Sequence, residues 1–454
     1  KTTLRLSFQS ESGLAEFMHA SAWVMAARFL TVVAGFATWA LVARWYGQQA
    51  LGLVTLINSA AALFSIITVF GLGVYLMREL SASNVRVDTE QKFVLFRLST
   101  INVLVLVTLL SGPAIWALSM RLPEFSKQTA VVTYAIIGIA LLGRSLIGLN
   151  VNAVRALASA QIYALFLLLP SFVNFTIVAI WLVISEPVPL VPIIALAVGT
   201  FSTGIAAFIF TLVRLYPRTS YNYSAGEPRS AKQPIPKHKN LFQLGLPFFF
   251  SAASAMLMSE GNIVVAGFLL PIDNLGVYSV AIRISMVAAF FYSSTNLVVS
   301  PHFSRLKTLG DHNMLKNYAK NASAITFLSS VPILLFLFVG GKWVIIAAFG
   351  DEFADAWPLL VILLLGQAIN VYTGLTNNYL SMTGGQVILS WIFGLAACVN
   401  IALTIVLTPY FGMLGPAIAM SVSIALCNAI ALIAIRQRNG FWLCYLPSIR
   451  RAGQ

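Results

Sequence analysis

The sequence predicts an all-α integral membrane protein of twelve transmembrane helices, arranged as two related bundles of six. Three observations predict this: the chain is 59% hydrophobic and only 9% charged, it contains many long apolar runs, and its two halves repeat. Soluble domains carry about 25% charged residues. A chain this apolar has too little polar surface to face water on all sides, so a membrane location is indicated.

Twelve apolar runs are long enough to span, because a helix needs about 20 mostly apolar residues to cross a bilayer. The runs lack the period-two alternation of barrel strands, so they are predicted to be helices. They cover 20–43, 52–76, 94–118, 130–150, 161–184, 190–213, 244–270, 275–300, 323–349, 357–380, 387–408 and 413–435.

The polar interval 214–240 lies in the middle of these runs and contains six Lys/Arg and four prolines. It divides the chain into a predicted N-terminal lobe, 1–213, and a predicted C-terminal lobe, 241–454. Because six spans return the chain to its starting side, the two lobes have the same orientation in the membrane, and the repeat is parallel.

Short matches between the halves recur at offsets of 224 to 226 residues. Each match alone is weak, but a nearly constant offset favours a duplicated six-helix unit. The matches are Leu51-Gly52 with Leu275-Gly276, Asn152 with Asn378, Gln161 with Gln386, and Val173-Asn174 with Val399-Asn400.

Lysine and arginine are distributed unevenly between alternate loops. With the N-terminus inside, twenty of them fall on the inside and four on the outside, and cytoplasmic loops of membrane proteins carry such an excess. We therefore predict that both termini and the linker 214–240 are cytoplasmic. The formal charge of +14 is explained by this topology, so no nucleic-acid partner is predicted.

Arginines inside the spans are the main candidates for function, because a central arginine costs roughly 2.5–3.5 kcal/mol to insert. Arg28, Arg144 and Arg283 are predicted to face the protein interior or a water-filled cavity. Arg155 lies eleven residues after Arg144, close to three full turns, and so shares its face. A structural ion pair or snorkelling is the alternative for each, and it weighs more for Arg97 and Arg155 near span ends.

Two asparagines of the tenth span complete the predicted substrate site. Asn370 is the repeat equivalent of Arg144, and it forms one helical stripe with Gln367, Gly374 and Asn378. The predicted substrate-binding residues are Arg28, Arg144, Arg155, Arg283, Asn370 and Asn378.

Glu260 is the one carboxylate that we place inside a span. The excess of arginine suits an anionic guest such as a pyrophosphate-linked lipid, because arginine binds phosphate with a bidentate fork. Glu260 can serve as a proton or cation site in ion coupling, or it can neutralise Arg28 or Arg283. The sequence leaves these alternatives open.

Motifs of catalysis and metal binding do not appear in the sequence. The four histidines and three cysteines lack metal-ligand spacing, and there is no nucleophile motif or pair of acids suited to hydrolysis. We predict no catalytic residue, no metal, no cofactor and no enzyme activity.

The pattern ARWYGQQALGLVTL at 43–56, followed by FGLGVYLMREL at 70–80, resembles the polysaccharide transporter branch of the multidrug/oligosaccharidyl-lipid/polysaccharide (MOP) exporter superfamily, the Wzx-type O-antigen flippases. The paired patterns LNVNAVRALASAQ at 149–161 and LTNNYLSMTGGQ at 375–386 support the resemblance. These motifs are diffuse, and none of them is specific to one substrate.

The resemblance implies a V-shaped pair of six-helix bundles in the bacterial inner membrane. It implies export of an undecaprenyl-diphosphate-linked oligosaccharide from the cytoplasmic to the periplasmic leaflet by alternating access, coupled to a proton or sodium gradient. It also implies a cationic lumen, for which Arg28, Arg144 and Arg283 are the best matches. Polysaccharide-assembly membrane proteins are expected partners.

Two alternatives stand beside this interpretation. A multidrug or cation antiporter of the same superfamily favours intramembrane carboxylates, and Glu260 is the one available. A polytopic membrane glycosyltransferase or polymerase needs a sizeable outside loop, whereas the longest predicted one, near 119–129, is about ten residues.

Overall fold

The structure is a computed structural model that describes residues 11–81, 89–121, 130–216 and 238–444. Every regular element within these ranges is helical. A helix satisfies its backbone hydrogen-bonding groups within its own segment, which allows it to cross the apolar interior of a bilayer. The all-α membrane fold predicted from the sequence is confirmed.

Nine helices in the described ranges are long and apolar enough to cross a membrane, or ten if a bent pair counts as one span. The longest of all, α1 (Glu11–Val69), is interrupted at Gly47, whose φ of 77° and ψ of −176° are not helical. It contains the first predicted span, 20–43, and most of the second, 52–76. The predicted span 275–300 is not among the nine. The number twelve therefore stays a prediction.

The first compact unit, unit 1, comprises Lys1–Tyr46 and Ile57–Ala253. Besides most of α1 it holds α2 (Leu72–Ser81), α3 (Thr89–Ser119), α4 (Ala130–Leu157), α5 (Ala160–Ile184), α6 (Val191–Leu215) and most of α7 (His238–Met256).

Small residues bring α4 and α6 together in unit 1. A Cβ built on Gly143 would lie 2.5 Å from the backbone nitrogen of Phe201, and one on Gly204 would lie 2.8 Å from the Cβ of Leu146. Helices in a membrane gain little from the hydrophobic effect, so they rely on such close approach. This packing fixes the helix that carries Arg144.

The helix α7 packs directly against the break between α1 and α2 in unit 1. Gly71 has a φ of 73°, and a Cβ there would lie 2.3 Å from the carbonyl oxygen of Gly245. The ring of Phe70 stacks on Phe249 with centroids 4.4 Å apart. The predicted span 52–76 is therefore not one continuous helix, because α1 ends at Val69.

The second compact unit, unit 2, comprises Gly47–Leu56 and Ser254–Gln454. After the end of α7, a π turn (Leu257–Gly261) leads into α8 (Asn262–Leu269). The remaining helices are α9 (Ile272–Ala288), α10 (Phe290–Leu309), α11 (His312–Phe349), α12 (Ala356–Tyr372), α13 (Thr376–Met382), α14 (Gln386–Phe411) and α15 (Leu414–Asn439), with a 3-10 turn at Asp351–Phe353.

Two glycines form a reciprocal contact in unit 2. A Cβ on Gly52 would lie 2.1 Å from the carbonyl oxygen of Ile272, and one on Gly276 would lie 2.1 Å from the carbonyl oxygen of Gln48. Gly276 lies 224 positions after Gly52, and Ile272 lies 224 positions after Gln48. The two contacts are therefore related by the offset of the sequence repeat. The glycines are needed because no other residue allows backbones to approach this closely.

Helix positions also follow the repeat. The helices α4 and α12 begin at Ala130 and Ala356, and α5 and α14 begin at Ala160 and Gln386, an offset of 226 in both pairs. The predicted division into 1–213, 214–240 and 241–454 stays a prediction, and most of the linker, 217–237, lies outside the described residues. The sidedness of the termini also stays a prediction.

The tenth predicted span, 357–380, is broken in the structure. It consists of α12 and α13, which are bent by 47° relative to each other. The break contains Gly374 at a φ of 70°. The eighth predicted span is likewise divided between α9 and α10 at Ala289.

Candidate functional site

Arg28 lies on α1, where its side chain is exposed and the adjacent Ala27 is buried. The next turn of the helix is fixed by Thr31, whose hydroxyl donates to the carbonyl of Ala27 at 2.7 Å and to that of Leu167 on α5 at 3.3 Å. These bonds hold α1 against α5 one turn after Arg28.

Arg144 lies in the middle of α4, where it is half-buried and has interacting partners. The adjacent Ser145 is fully buried, and its hydroxyl lies 2.8 Å from that of Thr68 on α1. Arg155, in the last turn of the same helix, is exposed, and its guanidinium carbon lies 5.7 Å from the ring centroid of Tyr163. The assignment of Arg155 to the substrate site stays a prediction.

Glu260 is half-buried and lies in the π turn that precedes α8. A π turn shifts the backbone hydrogen-bond ladder by one residue and is often found at functional sites. The salt bridge recorded among the described residues joins Arg78 and Glu79 and does not involve Glu260. Neutralisation of Glu260 by direct pairing with Arg28 or Arg283 is therefore not observed in this part of the chain.

Arg283 is half-buried on α9 and has interacting partners. Its neighbours Ile282 and Ile284 are 2% and 1% exposed. The apolar helix thus holds a charged group partly inside unit 2. A charged residue within a membrane-spanning segment is costly to bury, so Arg283 is a candidate functional residue.

A buried amide network in unit 2 was not predicted from the sequence. The amide nitrogen of Asn262 on α8 lies 2.8 Å from Asn400 Oδ1, 2.8 Å from Thr404 Oγ1 and 3.1 Å from the carbonyl of Pro416. The Tyr278 hydroxyl donates to Asn262 Oδ1 at 2.6 Å. The side chains of Asn262, Tyr278, Asn400 and Thr404 are all fully buried. The network therefore joins α8, α9, α14 and α15 through hydrogen-bonded polar groups.

This network also holds the turn that carries Glu260. The amide of Asn400 donates to the carbonyl of Met258, inside the π turn, at 3.1 Å. A Cβ on Gly261 would lie 3.5 Å from Ile401, one position further along α14. Asn400 therefore links the buried network around Asn262 to the π turn that carries Glu260.

Asn370 and Asn378 both lie beside the break between α12 and α13, but they have different partners. Asn370 accepts from Asn428 at 3.2 Å and donates to Gln367 at 3.3 Å. Asn378 accepts from Ser300 on α10 at 2.9 Å. The single stripe of polar residues was predicted for one continuous helix, whereas Asn370 lies on α12 and Asn378 on α13, which are bent by 47°. The role of the two asparagines in substrate binding stays a prediction.

The predicted residues divide between the two units. Arg28, Arg144 and Arg155 belong to unit 1, whereas Glu260, Arg283, Asn370 and Asn378 belong to unit 2. A signal for the missed network existed in the sequence, because Asn400 was one of the repeat matches and Thr404 follows it one turn later. Neutral amides in apolar runs do not stand out as charges do.

Comparison with known proteins identifies the family. The profile of the family described as "Polysaccharide biosynthesis protein" matches residues 18–307, well over half of the chain. The chain belongs to this family. The expectation of a polysaccharide-related family, drawn from the sequence resemblance, is thereby confirmed.

A curated relative of this polysaccharide biosynthesis protein is the probable low-salt glycan biosynthesis flippase Agl15 of Haloferax volcanii. The two sequences are 22% identical over 200 residues, which cover 43% of this chain and 42% of the relative. The match therefore spans less than half the length of that relative.

Two solved structures share the fold of this family member. The lipid II flippase MurJ, in an inward closed conformation, superposes with a TM-score of 0.69 at 14% identity, covering 91% of this chain and 87% of MurJ. An inward-facing multidrug resistance MATE transporter of the MOP superfamily gives a TM-score of 0.67 at 16% identity, with 90% and 94% covered. The protein therefore has a MOP-like membrane fold.

Proposed function

We propose that this protein is a flippase that moves a polyprenyl-diphosphate-linked oligosaccharide between the leaflets of the cytoplasmic membrane by alternating access. The family match over residues 18–307 carries the proposal. The relatives described as flippases support it. A flippase leaves the covalent bonds of its substrate intact, so no catalytic group is required.

The intramembrane arginines supply the recognition chemistry of the proposal. A diphosphate is expensive to bring into an apolar interior unless cations accompany it, and the guanidinium fork matches its oxygens at every physiological pH. Arg144 and Arg283 are half-buried in apolar helices. Arg28 is the third proposed diphosphate ligand, and the polar side chains of Asn370 and Asn378 are proposed to contact the sugar.

Replacement of Arg144 or Arg283 by alanine is expected to lower the rate of flipping at least about tenfold, because loss of one charge-assisted hydrogen bond costs roughly 1.5–3 kcal/mol. Arg28→Ala is expected to act in the same direction. The measurement is the outward appearance of a polyprenyl-diphosphate glycan in proteoliposomes with matched protein content.

Arg214→Ala is the matched control for the arginine variants. Arg214 lies in the last turn of α6, is exposed and packs over Phe210 at 5.5 Å, so its loss should leave the rate within about twofold. Wild-type rates in all three test variants would refute recognition of the diphosphate by these arginines.

Glu260 is proposed to couple transport to a proton or sodium gradient. Glu260→Gln keeps the size of the side chain but removes its charge, so flipping should lose its dependence on an imposed gradient while equilibration without a gradient persists. Glu186→Gln, at an exposed loop position, is the control that should respond like the wild type. An unchanged gradient response in Glu260→Gln would exclude this role.

A multidrug or cation antiporter is the second candidate, favoured by the fold shared with a multidrug resistance MATE transporter. A cationic drug would need acidic partners, and Glu260 is the acid proposed for that task. Export of a lipophilic cation that requires Glu260 but not Arg144 would favour this candidate over the flippase.

A further inference from the structure

The chain turns back sharply after α15 and forms a short hook, residues 440–443. Gly440 adopts a left-handed φ of 77°, which ends the helix in the manner typical of glycine. Phe441 and Leu443 are then 6% and 0% exposed, whereas Trp442 between them is 42% exposed. The hook therefore has two anchors inside unit 2 and one aromatic ring at its surface.

Two cations from two helices contact this hook, and a third lies nearby. The ammonium of Lys316 on α11 lies 5.8 Å from the ring centroid of Phe441, and the guanidinium carbon of Arg436 lies 5.8 Å from that of Trp442. Arg436 also donates to the carbonyl of Gly440 at 2.6 Å.

The third cation, Arg438, lies beside the same cluster. It packs against Gly385, which follows α13, the helix that carries Tyr379. The ring of Tyr379 in turn contacts that of Phe441, with centroids 5.8 Å apart. Lys316 and Arg436 thus lie over the two rings of the hook, and the exposed Arg438 lies beside Gly385.

No acidic side chain balances this positive cluster within the described part of the chain. The salt bridge found there joins Arg78 and Glu79 of unit 1. The nearest acid along α11, Asp311, caps the helix by accepting from the backbone nitrogen of Met314 at 2.8 Å. The cluster therefore carries a local charge of about +3 that an external anion can satisfy.

The cluster lies where two apolar helix surfaces end. On α15, Ile433 is 47% exposed one turn before Arg436, and on α11, Ile325 is 64% exposed about two turns after Lys316. Exposed apolar side chains in a membrane helix face lipid tails, and an exposed tryptophan at their border fits the headgroup level. An anion at this position has an apolar surface beside it for its hydrocarbon part.

We propose that the hook and its three cations form a binding site for the phosphate headgroup of an anionic phospholipid. Lysines and arginines at a membrane surface can serve topology alone, but that role requires no fixed position and no aromatic partner. Here a fork-shaped donor, a point charge and an interfacial ring converge on one place, which suits a phosphodiester with acyl chains. The site is independent of the proposed flipping of glycans.

The test is a titration of the purified full-length protein with phosphatidylglycerol, followed by native mass spectrometry. Each cation near a membrane surface contributes about fivefold in affinity. The triple variant Lys316→Gln/Arg436→Gln/Arg438→Gln should therefore lose about a hundredfold for the first bound lipid. Trp442→Ala should lose a few-fold, and phosphatidylcholine should bind the wild type far more weakly.

Two further variants serve as controls for the loss of charge. Arg305→Gln/Lys307→Gln removes two exposed charges from the end of α10 and should retain wild-type affinity. Arg436→Lys/Arg438→Lys keeps the charge and should retain most of the binding. Equal affinity in the triple variant and the wild type would overturn the proposal, as would equal losses in the α10 control. Competition by inorganic phosphate as strong as that by phosphatidylglycerol would also overturn it in favour of a free-anion site.

Discussion

Asn262→Ala is expected to lower the free energy of unfolding by about 2–4 kcal/mol. The two amide hydrogens of Asn262 are shared among three acceptors and its oxygen accepts from Tyr278, all in a fully buried cluster. Hydrogen bonds between membrane helices average about 0.6 kcal/mol each, with larger values up to about 1.7. The variant also leaves the hydroxyl of Tyr278 and the amide oxygen of Asn400 without the partners they have in the structure. The measurement is unfolding of the purified protein by titration with a denaturing detergent.

Asn174→Ala is the matched control for this variant. Asn174 is the repeat equivalent of Asn400, but its amide oxygen is buried and has no hydrogen-bond partner. Removal of an amide with an unpaired oxygen should change stability by less than about 0.5 kcal/mol. If both alanine variants unfolded at the same detergent concentration, the network would not contribute to stability as argued.

Gly52→Ala and Gly276→Ala should each destabilise the protein by about 3 kcal/mol or more, because the added methyl group has no space. In both cases the new Cβ would start 2.1 Å from a carbonyl oxygen, and overpacking in a close-packed interior costs about 1–3 kcal/mol or more. The oxygen belongs to backbone, so no side chain can rotate away. The measurement is the yield of monodisperse protein and its thermal unfolding midpoint.

Gly35→Ala provides the comparison for the glycine variants. Gly35 lies in the same helix, α1, and has no heavy atom within 4 Å of a built Cβ. Alanine is favoured over glycine in a helix by about 1 kcal/mol, so this variant should be neutral or more stable. Stability of Gly52→Ala equal to that of Gly35→Ala would show that the backbones do not approach as closely as described.

The membrane fold could be predicted because hydropathy is summed over neighbouring residues in the sequence and needs no knowledge of tertiary contacts. Long apolar runs identify helices without knowledge of their neighbours. The repeat was visible because Gly52 and Gly276 obey the same steric requirement in both halves. Glu260 was found because a carboxylate in an apolar run is conspicuous.

The helix breaks and the amide network could not be predicted in this way. The residues before Gly374 are strongly apolar and those after it include Thr376, Asn377 and Asn378, but the run 357–380 contains no charged residue and has the length of a single span. Whether a glycine there adopts a left-handed conformation depends on neighbours such as Ser323, whose hydroxyl accepts from the backbone nitrogen of Leu375 at 3.2 Å. The network of Asn262 exists only when α8, α9, α14 and α15 are already in place.

The make-up of the two units has a consequence for biosynthesis. Unit 1 includes α7 up to Ala253, and unit 2 includes Gly47–Leu56 from α1. A ribosome makes the chain from its N-terminus, so unit 1 cannot be completed until the linker and the first turns of α7 have been translated. The segment 47–56 is therefore synthesised before its partners in unit 2, such as Ile272, which follows more than 200 residues later in the chain.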